Sequence, residues 1–126
     1  MTPTLHSFAI FVTDIARARE FYVDTLGLPM VATGSFGFQL LESAPHLSVH
    51  PAEHPEAKAM VGRHTGITFE IDQLLEFCRV LGERGVKFIA EPTQQGFGVM
   101  ALVADPDGNV LALWEDNVSA QQQEGQ

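Results

Sequence analysis

The chain contains few of the features that direct a protein to a membrane or to the secretory pathway. Its 126 residues include a single cysteine, so no disulfide can form within the chain. No apolar run approaches the roughly 18 residues of a membrane-spanning helix. The N-terminal MTPTLHS also lacks the basic and then apolar regions of a secretory signal. We therefore expect a cytoplasmic protein.

Basic residues are also scarce. Seven Lys and Arg stand against sixteen Asp and Glu, which gives a formal net charge of −9. Nucleic acids and anionic membrane surfaces are bound by cationic protein surfaces, so this balance argues against either as a partner. The charge fits general solubility, and it also fits a site for cationic ligands. Charge alone does not decide between these two interpretations.

An internal repeat is the strongest pattern in the chain. The segment SFAIFVTDIARAREFYVDTLGLPMV has an apolar run, an Asp, a helix-like stretch and a Gly, and GITFEIDQLLEFCRVLGERGVKFI has the same order. Thirteen positions separate Asp14 from Gly27, and thirteen separate Asp72 from Gly85. A repeat of this size indicates two copies of one supersecondary unit that pack together.

Each copy predicts a strand, a helix that begins at the Asp cap and ends near the Gly, and two or three further strands. The fold class is therefore α+β, with two βαβββ modules forming paired half-barrel sheets around an open concave cavity. We expect a single domain over residues 1–116, with module one at 5–50, a linker at 51–64 and module two at 65–116. The polar tail, 117–126, is expected to be disordered.

Strand alternation predicts which side chains line the cavity, because neighbouring side chains on a strand point to opposite faces. The apolar set expected under the helices is Phe8, Ile10, Val12, Leu47, Val49, Ile67, Phe69, Ile71, Leu111 and Leu113. The set expected in the cavity is Ser7, Ala9, Phe11, His46, Ser48, His50, Thr68, Glu70, Val110, Ala112 and Trp114. Cys78 has helical spacing with Leu74 and Leu81, which favours a buried core residue over a nucleophile.

Two phrases, VTDIARAREFYVDTLGL and ADPDGNVLALWE, resemble the paired signatures of the vicinal oxygen chelate superfamily. That superfamily contains glyoxalase I, extradiol dioxygenases, fosfomycin-resistance enzymes and bleomycin-resistance proteins. The resemblance covers about residues 5 to 116 and implies the paired βαβββ architecture. For catalytic members it implies a divalent metal held by His, Gln or Glu side chains from the strands. It does not specify the reaction, since one fold hosts many functions.

The resemblance implies four metal-ligand positions, and the residues at these positions in this chain are poor metal ligands. They are Ser7, Ser48 (or His50 with a two-residue shift), Gly66 and Ala112. Gly and Ala have no side-chain donor, and Ser is a poor ligand for these metals. His6 is next to the first position, but an offset of one residue turns a strand side chain to the other face. We therefore expect His6 under the helix layer.

Three hypotheses of function follow. The leading hypothesis is a small-molecule-binding protein of the glyoxalase/bleomycin-resistance type, closest to the metal-free members, which sequesters its ligand and has no cofactor. The alternative is a metal-dependent lyase or dioxygenase with a displaced ligand set of His50, His64 and Glu70, since two histidines and a carboxylate form a facial triad. The third is a structural or regulatory subunit without a pocket ligand.

The leading hypothesis assigns ligand binding, and no metal or catalytic role, to a set of seven residues: Ser7, Phe11, Ser48, His50, Thr68, Glu70 and Trp114. Phe11 and Trp114 offer flat apolar surfaces for stacking, whereas Glu70 and the histidines offer polar contacts. With the net charge, these side chains favour a cationic, aromatic ligand. The open edges of the predicted sheets, together with the resemblance, predict a homodimer.

Overall fold

The computed structural model describes residues 1–117, which form two units. Unit 1 comprises residues 1–63 and 106–109, and unit 2 comprises the described residues 64–105 and 110–117. Most of the tail that is predicted to be disordered, 118–126, lies outside the described residues. Within residues 1–117, no helix is long and apolar enough to span a membrane.

Residues 1–117 contain eight strands and three α-helices, one of the helices with a π-helical continuation. In chain order these are β1 (Ser7–Val12), α1 (Ile15–Arg19) with the π-helical segment (Glu20–Thr25), β2 (Met30–Gly34), β3 (Gly37–Leu40), β4 (His46–Pro51), α2 (Pro55–Lys58), β5 (His64–Glu70), α3 (Leu74–Glu83), β6 (Lys87–Gln95), β7 (Gly98–Ala104) and β8 (Val110–Asp116). The short helix α2 lies in the segment that the sequence predicts as a plain linker.

Each unit has one open, four-stranded mixed sheet. The strand order is β1-β4-β3-β2 in unit 1 and β5-β8-β7-β6 in unit 2. In both sheets the first strand of the module pairs in parallel with its last strand, and the remaining pairs are antiparallel. The α+β class and the two βαβββ modules predicted from the repeat are therefore confirmed.

The core of unit 1 follows the predicted alternation. Ile10 pairs with Val49 in the parallel register, and both side chains are buried together with Val12 and Leu47. Phe8 is the exception, since it has the same parity but is 43 % exposed. It lies near the start of β1, where every residue before Ile10 is exposed, so parity alone does not bury it.

The first helix begins as predicted and then changes its hydrogen bonding. The Asp14 carboxylate accepts a hydrogen bond from the Arg17 backbone N–H at 3.1 Å, which is the expected N-cap. Further along, the Leu26 N–H donates to the Phe21 carbonyl at 2.9 Å, five residues back, as in a π-helix. Gly27, with φ of +80°, then ends the helix in the left-handed region that glycine adopts without strain.

The start of α3 differs from the sequence prediction. Asp72 does not cap it; the cap residue is Gln73, which has a left-handed backbone and no side-chain cap. Instead, the Glu115 carboxylate on β8 accepts hydrogen bonds from the Gln73 and Leu74 N–H groups, at 2.7 and 3.0 Å. The cap is supplied by a strand distant in sequence, so local spacing around Asp72 does not reveal it.

The core of unit 2 lies between α3 and the sheet. Leu74, Cys78 and Leu81 of α3 are buried, as are Leu111 and Leu113 of β8. The prediction that Cys78 is a core residue is therefore confirmed. Burial, and to a lesser degree the negative charge of Glu91, raises the pKa of the Cys78 thiol to about 11.

The turn between β7 and β8 belongs to unit 1, where it holds the end of β1 and the linker. The buried Asn109 side chain accepts from the Gly62 N–H at 2.8 Å and donates to the Phe11 carbonyl at 3.0 Å. In the same turn, the Asp107 carboxylate accepts from the Thr13 N–H at 3.0 Å and from the Thr13 hydroxyl. One turn of module two thus fixes the residue that follows β1.

Replacing Asn109 with Ala should lower the free energy of unfolding by roughly 1 to 3 kcal/mol, because two backbone groups lose their partner. Urea denaturation monitored by circular dichroism measures this change. As a control, Gln95→Ala alters an exposed residue and should change stability by less than about 0.5 kcal/mol. An Asn109→Ala protein as stable as the Gln95→Ala protein would contradict the role assigned to this turn.

The Cys78 thiol should react slowly while the protein is folded. A pKa raised from 9.0 to about 11 leaves roughly a hundredfold less thiolate at pH 8.5 than in the unfolded chain. The thiol therefore contributes stability below pH 9 that is lost as the pH rises toward 11. Alkylation by iodoacetamide, followed by mass spectrometry with and without urea, tests this; equal rates in both conditions would contradict it.

Candidate ligand-binding faces

One face of the unit 1 sheet carries all the predicted site residues of module one. The β1–β4 register pairs Ser7 with His46, Ala9 with Ser48 and Phe11 with His50, and Gln39 of β3 lies opposite Ser48. Paired residues on neighbouring strands point to the same face of a sheet. We call this face, formed by Ser7, Ala9, Phe11, Gln39, His46, Ser48 and His50, site face 1.

An aromatic cluster occupies one end of site face 1. The His50 ring lies 5.8 Å from the Phe11 ring and 6.2 Å from the Phe36 ring, centroid to centroid. His50 Nδ1–H donates a hydrogen bond to the Phe36 carbonyl oxygen at 2.9 Å. Phe36 was not among the predicted site residues, and it lies in the turn of GSFGF between β2 and β3. That turn brings an aromatic side chain back onto β4.

Histidines occupy the opposite end of site face 1. His46 Nδ1–H donates to the Leu41 carbonyl at 2.8 Å, and the His6 ring packs edge to face on the His46 ring at 5.4 Å. The prediction that His6 lies under the helix layer is wrong. His6 is exposed and precedes β1, so strand parity does not apply to it. The two ends are four residues apart along β4, or about 13 Å.

The predicted site residues of module two share one face of the unit 2 sheet. Thr68 pairs with Ala112, which lies opposite Leu102. Glu70 pairs with Trp114, which lies opposite Met100. We call this face, formed by Thr68, Glu70, Met100, Leu102, Ala112 and Trp114, site face 2. Its apolar centre is formed by Ala112, Leu102 and Met100 beside the indole.

Two residues that the sequence analysis missed hold the Trp114 side chain. The indole Nε1–H donates to the Asp116 carboxylate at 2.8 Å. A Cβ atom at Gly98 would overlap the six-membered ring of the indole and would also meet the Glu115 carbonyl oxygen. Only a glycine therefore allows Trp114 to lie across β7 at this point. The signal visible in the sequence is the glycine pair of QGFGV, Gly96 and Gly98.

Two acidic residues are neighbours of Trp114. Glu70 is the neighbour of Trp114 on the adjacent strand, where strands lie about 5 Å apart, and Asp116 is bonded to the indole N–H. Lys87 is on β6 opposite Ala104, at the other end of the sheet from Trp114 along β7. The aromatic end of site face 2 is therefore acidic.

The positions at which a metal would be held do not fit a metal ion. Ser7 and Ser48 lie on site face 1 and Ala112 lies on site face 2, and none of the three is a His, Gln or Glu. Gly66 lies in a register irregularity of β5 and has φ of +77°, so the fourth position also lacks a side chain. This irregularity interrupts the pairing of β5 with β8 between His64 and Thr68, while exposed and half-buried residues still alternate from His64 to Glu70.

The displaced ligand set does not fit a metal ion either. His64 and Glu70 are at opposite ends of β5, roughly 15 to 20 Å apart along the strand, so they cannot bind one ion within a chain. The His64 Nδ1 also accepts a hydrogen bond from the Gly66 N–H at 3.1 Å. In the described part of the chain, no three His, Cys, Asp or Glu side chains form a group that could hold a metal.

A separate open depression of about 540 Å³ lies along the first helix. Its lining residues are Ile15, Ala16, Arg19, Glu20, Asp24 and Thr25. It spans the change from α-helical to π-helical hydrogen bonding and contains none of the predicted site residues. A ligand-binding test must therefore distinguish binding in this depression from binding on either site face.

Comparison with known proteins gives consistent matches. The family model described as Glyoxalase/Bleomycin resistance protein/Dioxygenase superfamily matches residues 4–113. YurT, an uncharacterized protein of Bacillus subtilis (strain 168), is 31% identical over 118 residues, which cover 83% of this chain and 93% of YurT.

Solved structures are similar over nearly the whole fold. A superfamily member from Sphaerobacter thermophilus DSM 20745 has a TM-score of 0.79 at 26% identity, and the match covers 91% of this chain and 98% of that chain. TnmS3, an antibiotic binding protein from Streptomyces sp. CB03234, has a TM-score of 0.73 at 29% identity, covering 91% and 97% of the two chains.

Proposed function

Because the chain belongs to the Glyoxalase/Bleomycin resistance protein/Dioxygenase superfamily, we propose that it binds a small cationic aromatic molecule without a metal and sequesters it unchanged. The observation that carries this proposal is the environment of Trp114. Its indole lies across Gly98, with Glu70 and Asp116 as acidic neighbours. A planar cation is attracted both by the face of an indole and by nearby carboxylates.

The remaining part of each site face supports an aromatic ligand. On site face 2, Met100, Leu102 and Ala112 give an apolar surface next to the indole. On site face 1, Phe11 and Phe36 pack about His50. TnmS3, which is 29% identical to this chain, is an antibiotic binding protein, and this favours binding as the function. A homodimer and a cytoplasmic location remain predictions.

The side chains at the superfamily's ligand positions support metal independence. Ser7, Ser48, Gly66 and Ala112 supply at most two hydroxyl groups, which hold first-row metals poorly compared with His, Gln or Glu. A metal-dependent lyase or dioxygenase is the competing function, and it needs a different ligand set. The alternative set does not form one group, because His64 and Glu70 lie at opposite ends of β5 and His50 lies on β4. This argues against that enzyme.

Purified protein should contain far less than one iron, zinc, nickel or manganese per chain, and EDTA treatment should leave ligand affinity unchanged. Inductively coupled plasma mass spectrometry measures the metal content, and calorimetry measures the affinity. The physical reason is the lack of imidazole and carboxylate donors at the superfamily positions. Near one metal per chain, lost on His50→Ala or Glu70→Gln, would favour the enzyme instead.

A cationic aromatic probe should bind more tightly than an anionic probe of similar size. We expect N-methylquinolinium to quench Trp114 fluorescence at lower concentrations than 2-naphthoate, and to bind more weakly as salt rises, because salt screens the carboxylates. In calorimetry, Trp114→Ala should weaken binding of N-methylquinolinium by roughly 1 to 3 kcal/mol, since the stacking surface is lost.

The matched test of charge is Glu70→Gln, which keeps the size of the side chain and removes its charge. It should weaken N-methylquinolinium binding and leave 2-naphthoate binding equal or stronger. The control, Glu53→Gln, makes the same change at an exposed position between β4 and α2 and should change neither affinity by more than about twofold. Tighter binding of 2-naphthoate by the unmodified protein would refute the cationic ligand.

A further inference from the structure

His50 is held in one tautomer by its hydrogen bond to the backbone. Its Nδ1 lies 2.9 Å from the Phe36 carbonyl oxygen. A carbonyl oxygen can only accept, so Nδ1 must carry the hydrogen. A neutral imidazole has one N–H, and Nε2 therefore has a free lone pair that can only accept a hydrogen bond.

The surroundings of His50 are aromatic. Phe11 is its neighbour in the β1–β4 register, with the two rings tilted by 34°, and the Phe36 ring is tilted by 58° at 6.2 Å. The His50 residue is half-buried, and within residues 1–117 its ring makes no hydrogen bond besides that to Phe36. When a planar ligand covers this cluster and removes water, an unpaired Nε2 becomes costly.

The rest of site face 1 does not supply a charged donor for Nε2. Its other members are Ser7, Ala9, Phe11, Gln39, His46 and Ser48, which include no Lys or Arg. His46 repeats the arrangement of His50, because its Nδ1–H donates to the Leu41 carbonyl at 2.8 Å. Strand β4 thus presents two imidazole acceptors on the same face, and within residues 1–117 no protein donor pairs with the His50 Nε2, which leaves this nitrogen open to a donor on the ligand.

We propose that His50 determines ligand specificity on site face 1 by accepting, at Nε2, a hydrogen bond from an aromatic ligand that carries a hydroxyl or amino group. This inference rests on the proposed function, that the chain binds a planar aromatic molecule, and it adds the class of substituent. A ligand that lacks the donor leaves Nε2 unpaired between two phenyl rings, so phenols are favoured over their methyl ethers.

The first test observes the tautomer directly and needs no ligand. Long-range ¹⁵N–¹H correlation spectra of the imidazole rings distinguish Nδ1–H from Nε2–H, and the spectrum of the His50→Phe protein assigns the His50 signals. At a pH where the ring is neutral, His50 should show a protonated Nδ1. A protonated Nε2 would overturn the inference, since that nitrogen would then donate rather than accept.

The second test compares two neutral probes of the same ring system, 2-naphthol and 2-methoxynaphthalene, by calorimetry at neutral pH. The unmodified protein should bind 2-naphthol roughly three- to tenfold more tightly, the value of one hydrogen bond. His50→Phe keeps an aromatic ring and deletes the acceptor, so it should bind both probes alike. His54→Phe makes the same change outside β4, at the residue before α2, and should keep the preference.

The outcomes separate the inference from the function on which it rests. Binding of both probes without a preference, or an unchanged preference in His50→Phe, overturns the role of His50 and leaves aromatic binding intact. If neither naphthalene probe nor N-methylquinolinium binds to the unmodified protein, the proposed function fails and the inference fails with it. The inference is supported if the preference for 2-naphthol is lost in His50→Phe and kept in His54→Phe, and if Nδ1 of His50 is protonated in the unmodified protein.

Discussion

The parallel pairing of the first and last strands of each module is the constraint on which both site faces depend. It places Phe11 beside His50 in one sheet and Glu70 beside Trp114 in the other. In either sheet, a shift of the pairing by one residue would turn one partner of that sheet's pair to the buried face. The chemistry that we propose is therefore a consequence of backbone pairing, with the site residues distributed over strands that are distant in sequence.

The sequence was sufficient wherever the determining interactions are local. Alternation along β1, β4 and β8 identified the buried leucines, isoleucines and valines, and the spacing from Asp14 to Gly27 identified the first helix. Prediction failed where a distant group replaces a local one. Glu115 caps α3 in place of Asp72, and an irregularity at Gly66 interrupts the pairing of β5 with β8. Neither effect leaves a periodic signal in one sequence.

The candidate site was partly predictable for the same reason. Parity assigned Ser7, Phe11, Ser48, His50, Thr68, Glu70 and Trp114 to one cavity. The strand registers place the first four on one face of the unit 1 sheet and the other three on one face of the unit 2 sheet. The residues that orient the aromatic side chains were missed, since Phe36, Gly98 and Asp116 act through turns and cross-strand contacts. The Phe36 carbonyl fixes the orientation of the His50 ring, and the Asp116 carboxylate and the space at Gly98 fix that of the Trp114 indole.

The central claim is that a planar cation binds at the Trp114 end of site face 2, and amide chemical-shift mapping tests it most directly. ¹⁵N-labelled protein is titrated with N-methylquinolinium, and the shifted amides are assigned. The account predicts that the largest shifts lie in β7, β8 and the end of β5, around Gly98, Trp114 and Glu70. Shifts confined to the depression along α1 and the π-helical segment, near Arg19 and Asp24, would contradict it.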